Sequence, residues 1–147
     1  MLKNHPAKKT ETSTTFTDPH DLRKPGIALQ GEWIVLPESI QHTNTRQFAS
    51  GYISLVFSGV EVNLVAGATD NRLLELVISL DGKPVPIDQR GRDITERSGQ
   101  TVVLIQESKM YRLIKSNTYL YPAELKIVDE SGRFQAYAFT FSGCQED

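Results

Sequence analysis

The chain has 147 residues, enough for one domain with a real core, and its net charge of −2 gives no global positive field for binding nucleic acid. No apolar run approaches the roughly 20 residues that a membrane-spanning helix needs, and the start (Met1-Leu2-Lys3-Asn4-His5-Pro6) lacks the apolar core of a secretory signal, so the chain reads as cytosolic or as a piece of a longer protein. One cysteine, Cys144, excludes an internal disulfide and a Cys-x-x-Cys redox pair.

Residues 1–26 form a polar block. Lys8-Lys9-Thr10-Glu11-Thr12-Ser13-Thr14-Thr15 is Thr-rich, and Pro6, Pro19 and Pro25 punctuate it. Such a segment buries too little apolar surface to offset its ordering entropy, so it is expected to be a flexible linker or arm, with Phe16 and Leu22 as candidates for local docking. An arm of this kind points to a module on its other side.

From Gly31 the pattern turns to short β-like runs, and the domain is placed at 27–147. Glu32 to Leu36 ends at Pro37. Ile53, Leu55 and Phe57 share one face of a run that Ser58-Gly59 is expected to break, and Val60, Val62 and Leu64 share the next. Leu74, Leu76, Ile78 and Leu80 alternate up to Asp81-Gly82, a strong hairpin signal. Arg92 to Glu96 reads as a short extra strand, and Thr101 to Ile105 as a strand buried on both faces. Lys109 to Lys115 and the pair Leu125/Ile127 read as two strands, separated by a loop over Asn117 to Pro122. The cluster Asp129-Glu130-Ser131-Gly132 marks a turn, after which Tyr137, Phe139 and Phe141 are expected to face the core. About eight strands and no useful amphipathic helix predict an all-β fold, an antiparallel two-sheet β-sandwich of jelly-roll type.

The search for chemistry is short. His5, His20 and His42 fall in the arm and in a polar stretch, with no ligand spacing around them, so neither a metal site nor a cofactor is expected. The pairs Ser50-Gly51, Ser58-Gly59, Ser98-Gly99 and Ser142-Gly143 read as turns rather than nucleophile elbows. Glu61, Glu75 and Asp93 are carboxylates with no visible convergence, so no catalytic residue is assigned. Two binding features remain. Arg90 and Arg92, in the loop Asp88 to Asp93, suit an anion or a partner carboxylate. Tyr119 and Tyr121, with Trp33, are candidate stacking rings for a glycan; the alternative is that the two tyrosines cap the end of the core and that Trp33, in an apolar strand, lies within it.

Four segments carry a resemblance. Ala28-Leu29-Gln30-Gly31-Glu32-Trp33, Leu80-Asp81-Gly82-Lys83-Pro84-Val85, Met110-Tyr111-Arg112-Leu113-Ile114 and Arg133-Phe134-Gln135-Ala136-Tyr137-Ala138-Phe139-Thr140-Phe141 follow in order. Together they resemble the thioredoxin-like C-terminal domain that follows the thioredoxin module in DipZ-type and related extracytoplasmic thiol-redox proteins. The resemblance implies a β-sandwich like a carbohydrate-binding module, a non-catalytic accessory role, a thioredoxin-fold or other protein partner, and a periplasmic or extracytoplasmic place. The chain departs from the pattern at Ser142-Gly143, where one residue intervenes before glycine, and in the length of the Asn117 to Pro122 segment. The alternative is a stand-alone carbohydrate-binding module.

Overall fold

The computed structural model describes residues 13–43 and 50–142; residues 1–12, and with them His5, lie outside these, as does Cys144. Ten strands follow in order: β1 (Thr14–Phe16), β2 (Gly26–Val35), β3 (Ile40–His42), β4 (Gly51–Ala68), β5 (Leu74–Leu80), β6 (Lys83–Pro84), β7 (Ile94–Arg97), β8 (Gln100–Ile105), β9 (Lys109–Asp129) and β10 (Phe134–Ser142). A single 3-10 turn spans Ile87–Gln89. Every pairing is antiparallel, in the order β1-β2-β3-β10-β4-β9-β5-β8-β7, with β6 beside β5. The expected all-β sandwich is therefore present, but its two layers are one continuous hydrogen-bonded sheet folded over.

The fold-over is made by β4 and β9, 18 and 21 residues long. The first half of β4 (residues 51–57) pairs with the last part of β9 (123–129), and its second half (59–66) pairs with the first part (109–120). Register shifts at Phe57/Gly59, Gly59/Glu61 and Val62/Asn63 are β-bulges that bend the pair from one layer into the other. Gly59 sits at φ +150, a conformation that disfavours side chains. The expected breaks at Ser58-Gly59 and over Asn117 to Pro122 are thus corners inside unbroken strands. A turn signal and a bent strand use the same residue types, which is why the sequence divided each strand in two.

β2 closes one end of the fold. Its first half pairs with β4, while its second half pairs with β1 and β3, and β3 in turn pairs with β10. The core between the layers includes Leu29, Trp33, Ile53, Leu64, Leu76, Ile78, Leu125, Ile127 and Phe134, all fully buried. Each such side chain contributes about 1.5–3 kcal/mol relative to exposure. At Asp81-Gly82 and Ser98-Gly99 both residues have φ between +53 and +81, the signature of two-residue type I′ hairpins.

Two expectations need correction. The arm does not extend to residue 26: β1 pairs with β2, Phe16 is in the core, and Asp18 is buried and accepts a 2.9 Å hydrogen bond from the Tyr52 hydroxyl. Phe16 supplies the burial that the arm's average composition lacks, whereas Leu22 stays exposed. In β10, Tyr137, Phe139 and Phe141 do not share a core face. A register shift between Ala136 and Ala138 makes Tyr137 the extra residue of a bulge. Phe134 and Ala136 are buried instead, Phe139 packs on the core margin, and Tyr137 and Phe141 are exposed.

Candidate binding surfaces

Strands β2, β3 and β9 bring three side chains of opposite polarity into one dry place. Trp33 is directly across from His42, and Gly51 from Asp129. His42 Nδ1–H donates to Asp129 Oδ2 over 2.7 Å, and both side chains are fully buried. Asp129 also accepts the Ser131 N–H and hydroxyl, at 2.9 and 2.7 Å, and the Gly132 N–H at 3.1 Å. Burial alone pushes the Asp129 carboxyl up. The hydrogen bonds from His42 and Ser131 outweigh it and hold the group below the usual carboxylate range. Among the described residues His42 Nε2 has no hydrogen-bond partner, and it lies against Gly51, where any Cβ would collide with the imidazole. The pair carries no hydroxyl or thiol on Nε2 among the described residues. It joins strands far apart in sequence. The polar stretch around His42 conceals a buried side chain, because a polar residue on a three-residue strand has no periodicity to reveal it.

Trp33 belongs to this buried centre. Its ring meets Phe134 edge-on at 6.2 Å and His42 at 4.9 Å, and Nε1–H donates to the Gln30 carbonyl at 3.0 Å. A ring with no exposed surface cannot stack on a glycan, so Trp33 leaves the set of candidate ligand contacts.

Tyr119 and Tyr121 have the opposite placement. They stand on the bent middle of β9, 48% and 78% exposed, and do not cap the core. Their ring centroids are 6.3 Å apart and the planes 22° from parallel. Two near-parallel aromatic faces in solvent provide a stacking platform.

Arg90 and Arg92 point to different tasks. Arg90 Nε donates to the Val85 carbonyl at 2.9 Å and its guanidinium meets Glu96 at 3.3 Å, so it fastens its own loop. Residues 90–93 run along the edge of β9: Gly91 N–H donates to Leu113 O at 2.9 Å, Asp93 N–H to Arg112 O at 3.1 Å, and Arg112 N–H to Asp93 Oδ2 at 2.7 Å. Gly91 permits this approach, since a Cβ would strike the Arg112 carbonyl. Arg92 is exposed on a pocket of about 310 Å³ that it lines with Arg112, Lys115 and Glu61. Arg112 Nη1 meets Glu61 at 3.2 Å, and Glu75 meets Arg97 at 3.1 Å. Glu61, Glu75 and Asp93 are therefore engaged with cations or backbone. Among the described residues no three His, Cys, Asp or Glu side chains gather as metal ligands.

A large apolar opening lies between β2 and β10, which do not pair. A groove of about 560 Å³ is lined by Pro25, Ile27, Leu55, Phe57, Phe139 and Phe141. A hollow of about 320 Å³ adjoins it through Ile27 and Phe139 and reaches Val35, Pro37, Ile40 and Tyr137. The sequence concealed this surface because Tyr137, Phe139 and Phe141 read as one core-facing set, whereas Tyr137 is the bulge residue and Phe139 and Phe141 line the groove at the core margin.

Comparison with known proteins gives three findings. No curated protein matches the chain. Among solved structures, a family two carbohydrate esterase from Cellvibrio japonicus matches 91% of this chain with a TM-score of 0.59 at 13% identity, a likeness of fold alone. The match covers 34% of the esterase, so the chain spans about a third of that protein. The sequence profile of the thioredoxin-like C-terminal domain matches residues 2–142, and the chain belongs to that family.

Proposed function

We propose that this chain is a non-catalytic accessory domain that packs against the thioredoxin-fold module of a thiol–disulfide oxidoreductase and positions it. Family membership supports the partner, and the apolar groove between β2 and β10 supports the contact. That groove carries the reading, because Phe141 is 45% exposed at its rim and solvent-facing aromatic grooves mark protein contacts. The redox cysteines belong to the partner module, since this chain has one cysteine. The complete protein, in this reading, is DipZ-like and extracytoplasmic, and the domain is of jelly-roll type.

The test is an NMR titration of the chain with the thioredoxin-fold module of its source organism. Resonances of Ile27, Phe139 and Phe141 should shift, and Phe141→Asp should weaken the association about tenfold by placing a charge in the apolar contact. No association, or turnover of a thiol, ester or glycoside substrate by the chain alone, overturns the reading.

A second reading rests on Tyr119 and Tyr121: a glycan-binding surface on the outside of β9. Their exposure and near-parallel planes favour it. Replacing both with Ala should remove glycan binding, at about 1–3 kcal/mol across the two rings, with thermal stability unchanged. A glycan array on the wild-type chain with no signal sinks this reading.

A further inference from the structure

The cationic pocket and the tyrosine pair stand on the same strand. Along β9, Lys115, Asn117, Tyr119 and Tyr121 are exposed, and the chain from Lys115 to Tyr119 turns at Ser116, whose hydroxyl bonds the Thr118 backbone, so the two residues stand no more than about 13 Å apart. We propose that Arg92, Arg112 and Lys115 form a carboxylate-binding subsite, so that the glycan stacked on Tyr119 and Tyr121 is an acidic one, a chain of uronate residues. The inference rests on the glycan-binding reading and adds the class of ligand to it.

Three observations carry it. Among the described residues the pocket gathers three cations, Arg92, Arg112 and Lys115, against the carboxylates of Glu61 in its lining and Asp93 on the Arg112 backbone, which leaves one positive charge in excess in a chain whose net charge is −2. A cleft lined by one sign of charge focuses the field and raises the local concentration of the opposite ion. Second, the site is preorganised. Glu61 holds the Arg112 guanidinium, Asp93 holds its backbone, and Gly91 lets the Arg92 loop lie against β9. A guanidinium fixed in this way offers its planar fork to a carboxylate with little entropy left to lose. Third, Arg92 and Lys115 take no part in the ion pairs among the described residues, so their charges are not committed internally. Glu61 also supplies an acceptor for the hydroxyls that flank a sugar carboxylate.

The experiment is an NMR titration of the chain with three probes: a short uronate oligomer, a neutral oligosaccharide of the same length, and inorganic phosphate. The uronate oligomer should bind about tenfold more tightly than the neutral one, with the advantage fading as salt rises. The double variant Arg92→Gln, Lys115→Gln should lose that advantage and keep the tyrosine-dependent remainder. Phosphate should shift Arg92 and Lys115 and leave the tyrosines still. Equal binding of the two oligomers overturns the subsite while the glycan reading stands. A phosphate response with neither oligomer bound upholds the pocket and overturns the glycan reading on which the proposal rests. Silence with all three probes overturns both.

Discussion

Asp129→Ala is expected to destabilise the domain by about 3–5 kcal/mol, because it removes the acceptor of a fully buried hydrogen-bonded pair and leaves His42 Nδ1–H and two backbone N–H groups without a partner. For a chain of this size that corresponds to a fall in melting temperature on the order of 10 °C. The cost has two parts: His42 loses the acceptor for Nδ1–H, and the N–H groups of Ser131 and Gly132 lose theirs. Asp129→Asn keeps an oxygen for part of this set and should cost less. Thermal unfolding followed by the fluorescence of Trp33, whose ring lies 4.9 Å from His42, measures both variants. The pH dependence has a definite sign. The folded carboxyl of Asp129 is lowered, so its contribution is complete above the unfolded carboxylate value of about 3.9 and is lost as pH falls through the folded value. The wild-type chain should lose stability in that acid window, and Asp129→Asn should show a flatter curve there. An Asp129→Ala variant that melts with the wild type would mean the pair contributes nothing.

This pair also marks the limit of what the sequence reveals. Strands with clean alternation, such as Leu74 to Leu80 with its Asp81-Gly82 turn, are legible because period and turn chemistry agree. Exposure of Tyr119 and Tyr121 was legible only as one of two alternatives, because two rings two residues apart can equally cap the end of a core. Continuity of β4 and β9 was not, because bulges and breaks draw on the same glycines and serines. Burial of His42 and Asp129 was hidden for a different reason: their partners are 87 residues apart, and neither residue type announces a core position. The groove was missed because Tyr137 is the extra residue of a bulge and because Phe139 and Phe141, together on one face of β10, line an opening at the margin of the core rather than its interior. Local pattern thus gave the strands, and long-range register decided which faces became surfaces.

Trp33→Ala should destabilise the domain by about 3–5 kcal/mol, since it empties the volume of the largest fully buried side chain. The hole opens between Phe134 and His42 and frees the Gln30 carbonyl of its indole donor. Trp33→Phe keeps an aromatic ring in the same place and loses chiefly that hydrogen bond, so it should cost about 1–2 kcal/mol. Urea denaturation followed by far-UV circular dichroism reads both without the indole. The comparison separates a core residue from a ligand contact. Any loss of glycan binding in Trp33→Ala should track unfolding, while Trp33→Phe, folded, should bind like the wild type through Tyr119 and Tyr121. A folded Trp33→Phe chain that no longer bound would return the indole to the ligand site, which its complete burial argues against.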